Sequence, residues 1–419
     1  MSSLAHDKLT TSDTKQSRSL PPELIIVAGC LIGVLTFGPR SAMGVFQIPI
    51  LTEYKWGSDI FSFAMALQYL FWGIGQPFAG AMADRYGSFR VLTIGTLLYI
   101  FGLVVMSYST TPLSFNLTSG LLMGFGLSGC SFNLVIGALG KLVPPHMRSM
   151  AFGLGTAAGS FGQFLFTPMA GFFVGAYGWH STALIFGAMM VGVLPLAFFV
   201  KSPPLTEDAQ THAHQQNISE ALREAFAHRS YVLLVVGFFT CGFQLAFVTI
   251  HFQKYVVESG LVPQIGYWAF ALVGIFNIFG SLLSGWLGTR MPRRWILSFI
   301  YLARALVTAV FILLPASAMS TYIFGALTGF LWLSTVPPTS SLVGVMFGTR
   351  YFSMLYGFAF FSHQLGGFVG LMLSGSVREA TGSYIPMWWL SIALGVASAL
   401  INMPIVEKPI ARTEQTAAA

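Results

Sequence analysis

Charge is what this chain has least of. Of its 419 residues only 8% are Asp, Glu, Lys or Arg, against about a quarter in soluble domains, so most of it cannot be a water-exposed globule. Cysteine is also scarce. Cys30, Cys130 and Cys241 lie in apolar stretches without ligand spacing, which argues against a disulfide framework or a metal site and for small packing residues. No cofactor is expected. The alternating ten-residue stretches of a membrane barrel are missing. So is the strand that precedes a phosphate-binding glycine loop, and no nucleophile, base and orienting group can be placed together. Neither an enzyme nor an ATP-driven pump is expected.

What is present is apolar: 55% of residues are hydrophobic and the mean hydropathy is +0.72. Such a chain must sit in a bilayer, and runs of helix length leave helices as the spanning form. Runs of about twenty apolar residues predict spans at 24–52, 59–82, 91–109, 113–140, 149–176 and 181–200, then 231–256, 264–288, 295–315, 319–347, 351–376 and 384–405. The expectation is an all-α membrane protein of twelve transmembrane helices in two pseudo-symmetric six-helix bundles, 24–200 and 231–405. Residues 1–23 and 406–419 read as polar tails, without the cleavage pattern of a signal peptide. Residues 201–230 read as a solvated linker, in which His212 and His214 need no metal.

Basic residues test the segmentation, because alternate loops should differ in Lys and Arg. One set of loops holds Arg85, Arg90, Lys141, Arg148, Arg290, Arg293, Arg294 and Arg350; the other holds only Lys55, Lys254 and Arg378. This puts both tails and the linker in the cytoplasm, and accounts for the net charge of +7 without a nucleic-acid partner. Sliding the second half on the first by about 204 residues superposes Gly153, Gly162 and Gly171 on Gly357, Gly366 and Gly375. One further residue of offset superposes Gly80, Gly124 and Glu53 on Gly285, Gly329 and Glu258. Repeated halves around a midplane site are the architecture of secondary transporters.

The loop Gly80-Ala-Met-Ala-Asp84-Arg85-Tyr-Gly87-Ser-Phe-Arg90 resembles the signature loop between the second and third spans of the major facilitator superfamily. Its counterpart, from Gly285 to Arg294, keeps the glycine and Arg290 but has Thr289 in place of the acid. The resemblance implies that Gly80, Asp84, Arg85, Gly87 and Arg90 form a conformational latch, holding the cytoplasmic ends of the halves together while the cavity faces outwards. It also implies a cavity lined by spans 1, 4, 7 and 10. The stretches Gly-Val-Phe-Gln-Ile-Pro (44–49), Leu-Val-Pro-Pro-His-Met-Arg-Ser (142–149) and Ile-Tyr-Leu-Ala-Arg-Ala-Leu (300–306) are similar to bacterial monocarboxylate-porter-like members. Those carriers often have an Arg on span 8 where this chain has Ser281.

Ionisable residues inside a membrane are costly and mark function by default. Arg40 on span 1 and Arg304 on span 9 have no Asp or Glu at similar depth, so an anionic substrate is the expected counter-charge. Arg40 is the favoured ligand; Arg304 reads as more structural, with Asn277 as a neutral partner. His251 and His363 are candidate proton carriers. By the repeat Gln47 stands opposite His251 and Gln244 opposite Arg40; Asn133 and Trp332 are further substrate-binding candidates. The aromatic residues Tyr54, Trp56, Tyr177, Trp179, Tyr384, Trp388 and Trp389 read as an interfacial belt. The expected activity is secondary transport of a small organic anion across the cytoplasmic membrane, driven by protons, with the lipid bilayer as surroundings and no obligate protein partner. A multidrug exporter of the same fold, or an anion exchanger, is the alternative.

Overall fold

A computed structural model describes residues 20–202, 218–348 and 352–409. Among them nine segments are long and apolar enough to cross a bilayer. One of these, Met150–Phe199, is two crossings, since Gly178 at φ +77° turns the chain inside it, a conformation that glycine adopts without strain. Two more helices of crossing length, Ser58–Tyr86 and Phe352–Thr381, bring the crossings to twelve. They pack against each other between the halves.

In chain order span 1 is Pro22–Tyr54, span 2 Ser58–Tyr86, span 3 Ser88–Met106, span 4 Pro112–Leu142, and spans 5 and 6 lie either side of Gly178. Spans 7 to 12 are Arg229–Glu258, Pro263–Leu287, Arg293–Leu313, Ala318–Phe347, Phe352–Thr381 and Ile385–Asn402. The stretch read as a linker is helical from Ile218 to Ala227, and Arg229 already begins span 7. His212, His214 and Arg350 lie outside the described residues.

Three spans are interrupted, and the chemistry of each break matters later. Span 1 changes direction at Ala42, between Pro22–Ser41 and Met43–Tyr54; Pro39 lacks an N–H and its ring crowds the preceding turn. Span 4 breaks at Ser131, which is extended at φ −64° and ψ 155°. Span 10 unwinds between Leu331 and Val336, ahead of Pro337 and Pro338. Ser131 and Thr335 are equivalent by the sequence repeat.

The repeat is also visible in the packing. A Cβ on Gly120 would lie 3.0 Å from Ala64 O and one on Gly124 2.9 Å from Gln68 O; in the second half Gly325 meets Ala269 O at 2.3 Å and Gly329 meets Val273 O at 2.7 Å. Spans 2 and 4 therefore approach as spans 8 and 10 do, backbone against glycine, the usual means of close packing in membranes. Large apolar side chains such as Phe78, Phe172 and Phe299 are 67–68% exposed and face where lipid would be, whereas Gln47, Gln68, His251 and Gln364 are buried.

Contacts between the halves lie from mid-depth to the face opposite the basic loops. Span 2 touches span 11 through Gly375 and Ser62, Gly367 and Tyr69, and Gly73 and Gln364; span 5 touches span 8 through Gly171 and Tyr267, and Gly274 and Ser160. Seven residues further towards the basic face, and so on the same helix sides, Gly80, Gly357 and Gly153 meet nothing within 4 Å. The halves thus form a wedge, closed at one face and open at the basic one.

Candidate functional site

Arg40 lies at the apex of this wedge, beside the break in span 1. Its guanidinium rests in the angle formed by the rings of Tyr69 and Trp72, at 4.6 and 4.5 Å from their centroids, with Phe37 at 5.6 Å. Tyr69 and Trp72 stand three residues apart on span 2, hence on one side of it. The side chain is only 7% exposed, its Nε has no hydrogen-bond partner, and none of the ion pairs among the described residues involves it. Contact with these rings contributes about 0.5–2 kcal/mol, but it supplies no hydrogen-bond acceptor for the N–H groups. The edges, which suit a carboxylate, are left unpaired by the protein.

Arg304 is different. Its Nε and Nη2 donate to Leu331 O at 3.0 and 2.6 Å, and Nη2 also donates to Trp332 O. These carbonyls are freed by the break in span 10, so the arginine closes a gap in the backbone ladder. Its Nη1 meets Gln244 Oε1 at 3.4 Å and Cys241 Sγ at 3.5 Å. Asn277 is not its partner: Asn277 Nδ2 donates to Ser160 Oγ across the seam at 2.7 Å, and its Oδ1 accepts from Leu333 N. Gln244, besides bracing Arg304, donates to Ser391 O at 2.9 Å. The two residues stand with Trp332 around a small space within the second half. Trp332 is buried edge-on against Phe270, and Asn133 is half-buried just after the break in span 4.

His251 sits at the closed face, fully buried, in a network that joins both halves. Its Nδ1 lies 3.1 Å from Gln47 Nε2 and 3.0 Å from Tyr384 Oη, and its Nε2 lies 3.3 Å from Ser62 Oγ. Because Ser62 Oγ donates to Ser58 O at 2.6 Å, the imidazole must donate from Nε2 and accept at Nδ1, which makes the ring neutral. Gln47 and His251 are 204 residues apart: repeat-equivalent residues meet because the pseudo-twofold axis passes between them. Lys254 donates to Ser58 Oγ, and Ser58 N donates to Glu379 at 3.2 Å, completing the seal. His363 is buried beside span 7, its ring 5.0 Å from Phe238 and its Nδ1 3.1 Å from Gln364 Oε1.

The belt reading fails for Tyr384, Trp388 and Trp179, which are 1–2% exposed. Tyr384 bonds His251, Trp388 packs against Phe247 and Phe324, and Trp179 donates to Glu53 at 2.6 Å. At the basic face Asp84 pairs with Lys141 of the same half. Arg85 lies over the Tyr86 ring, and Gly87, at φ +86°, turns the chain against Ser202 O. Arg90 is exposed. The signature loop thus braces the first half while the wedge is open.

Sequence reading missed Tyr69, Trp72, Ser62, Tyr384 and Gln364. Aromatic residues and short polar ones are common in spans, and only the pairing of helices shows which of them face a charge.

The model of the Major Facilitator Superfamily matches residues 29–371. An uncharacterized MFS-type transporter of Bacillus subtilis, YcxA, is 25% identical over 91% of this chain and 94% of its own length. Monocarboxylate transporter 13 of Rattus norvegicus is 23% identical over 92% and 91%. Among solved structures a D-xylose-proton symporter superposes with a TM-score of 0.74 at 17% identity, covering 92% of this chain and 98% of its own. An inward-facing, occupied bacterial homologue of the human lysosomal transporter Spinster gives 0.72 at 13% identity, over 91% and 96%; at such identities these likenesses speak to the fold alone. With a family match over most of its length and the twelve-helix, two-bundle architecture, this chain belongs to the major facilitator superfamily and is a membrane transporter.

Proposed function

We propose that the protein carries a small monocarboxylate-like organic anion by alternating access, coupled to protons, and that the basic face is cytoplasmic, as the bias of Lys and Arg supports. The observation that carries this reading is Arg40: a buried cation, pre-oriented by two rings, with its hydrogen-bonding edges unpaired. A buried guanidinium without a counter-charge is costly, and a substrate carboxylate supplies it. The relationship to a monocarboxylate transporter supports the same class. Arg304, whose donors serve backbone carbonyls, is spent, which leaves Arg40 to meet the carboxylate.

His251 is the proposed proton site. A proton on Nδ1 removes the acceptor that Gln47 and Tyr384 share, and Gln47 can meet the new donor only by rotating its amide to present Oε1, which is buried without a partner. Protonation therefore rearranges the seam that closes the outer face. The charged groups around that seam are Lys254 and Glu258 on span 7, Asp59 on span 2, and Arg378 and Glu379 on span 11, with Glu258 paired to both Lys254 and Arg378.

The test is uptake of radiolabelled monocarboxylates and dicarboxylates into proteoliposomes, with and without an inside-alkaline gradient. Gradient-stimulated uptake of a monocarboxylate that Arg40→Gln abolishes and His251→Gln uncouples is expected. If no organic acid is carried under any gradient, the reading falls.

A further inference from the structure

We infer that Gln364, on span 11, is a specificity-determining ligand that donates a hydrogen bond to an uncharged oxygen of the substrate held by Arg40. The inference rests on the reading of Arg40 as the carboxylate ligand, and it adds a contact from the other half of the molecule.

The position follows from the rings around Arg40. Tyr69 and Trp72 hold Arg40 on one side, and the same rings pack on span 11: Trp72 is edge-on to Phe360 at 5.6 Å, and Tyr69 covers Gly367. Between them Gly73 lies against Gln364, so close that a Cβ on the glycine would be 2.7 Å from Gln364 Cβ. Phe360, Gln364 and Gly367 form one side of span 11, and they meet the layer of span 2 that carries the two rings. Gln364 is 1% exposed. Its Oε1 is engaged by His363, while its Nε2 is buried with no partner, as is Arg40 Nε.

The second seam shows the contrast. Ser160, the repeat equivalent of Gln364, finds a partner within the protein, since Asn277 Nδ2 donates to its Oγ at 2.7 Å. In the register of spans 2 and 8 set by Gly80 and Gly285, Trp72 stands in place of Asn277. Its indole N–H donates to Gln76 Oε1 at 3.0 Å, and the amide of Gln364 is left with an unused donor. Leaving such a group unpaired is unfavourable, and this one lies in the layer of Arg40, a buried arginine for which the described residues supply no acceptor. A substrate oxygen beside the carboxylate satisfies the amide. Bound between span 1 and span 11, the substrate also ties the halves at the apex of the wedge.

Paired probes separate this from the broader reading. Binding of lactate against propionate, and of mandelate against phenylacetate, is measured by isothermal titration on the purified full-length protein in detergent. The wild type should prefer the hydroxy acid of the transported pair by roughly three- to tenfold, the worth of one hydrogen bond. Gln364→Leu should erase that preference while leaving the affinity for the deoxy acid within about twofold. Gln364→Glu keeps the size and adds an acid next to Arg40; it should abolish binding of both members and, unlike a folding defect, leave the thermal midpoint at or above that of the wild type. Binding of none of the four acids to the wild type would overturn the Arg40 reading and this inference with it. Binding that Arg40→Gln abolishes, with discrimination unchanged in Gln364→Leu or with both acids still bound by Gln364→Glu, would overturn the role of Gln364 alone.

Discussion

Two arginines of the same type, both deep in apolar spans, have opposite roles because of what the backbone does near them. Arg304 serves carbonyls that the break in span 10 exposes; Arg40 serves no protein acceptor. Their removal should therefore act with different sign on stability. Arg304→Met orphans Leu331 O and Trp332 O, at about 1–3 kcal/mol for each group, and should lower the thermal midpoint and the yield of monodisperse protein. Arg40→Met discards a buried charge whose only compensation is stacking, and should leave the midpoint of the unliganded protein unchanged or raise it. Thermal unfolding in detergent compares the two; an equal loss for both would contradict the assignment of roles.

At the scale of elements, glycine decides which helices touch. Gly329→Ala places a Cβ 2.7 Å from Val273 Cα and O, where backbone cannot yield cheaply, and overpacking of this kind costs about 1–3 kcal/mol. Gly80→Ala meets open space and should be neutral to folding. Size-exclusion profiles and thermal midpoints of the pair provide the check. The same scale explains the signature loop. In the open wedge Asp84 turns to Lys141 within its own half, so the described residues of this conformation do not form the contact between halves that family resemblance implies.

The whole molecule works as a wedge about an axis near Gln47 and His251. Gly153 and Gly357 face the open part, so a large side chain there should be tolerated now and obstruct closure later. Gly153→Leu is expected to keep binding of a transported acid while cutting uptake at least tenfold; retained uptake would mean that the wedge does not close on this surface. The closed face gives a second prediction. Ser62→Ala deletes one hydrogen bond across the His251 seam, worth about 1 kcal/mol, which shifts a two-state population roughly fivefold. Alkylation of a cysteine introduced at Gly357, by an impermeant maleimide from the basic side, should slow accordingly in the Ser62→Ala background. An unchanged rate would remove Ser62 from the gate.

Spanning helices, their number, the sidedness of charge and the duplication were legible in the sequence. Each depends on composition or on local periodicity, and a bilayer penalises every exception to them. Gln47 opposite His251 was legible for the same reason, since a repeat implies an axis. The sequence ranked Arg40 above Arg304 only through family resemblance, which puts span 1 at the cavity, and it could not tell that Tyr384 and Trp388 are interior while other aromatic residues face lipid. Nor could it single out Gln364 among the polar residues of the spans. Those distinctions depend on which helix sides meet and where a helix is interrupted. Only tertiary packing decides them, because a buried polar group is defined by the partner it finds or lacks, and that partner lies a hundred or more residues away.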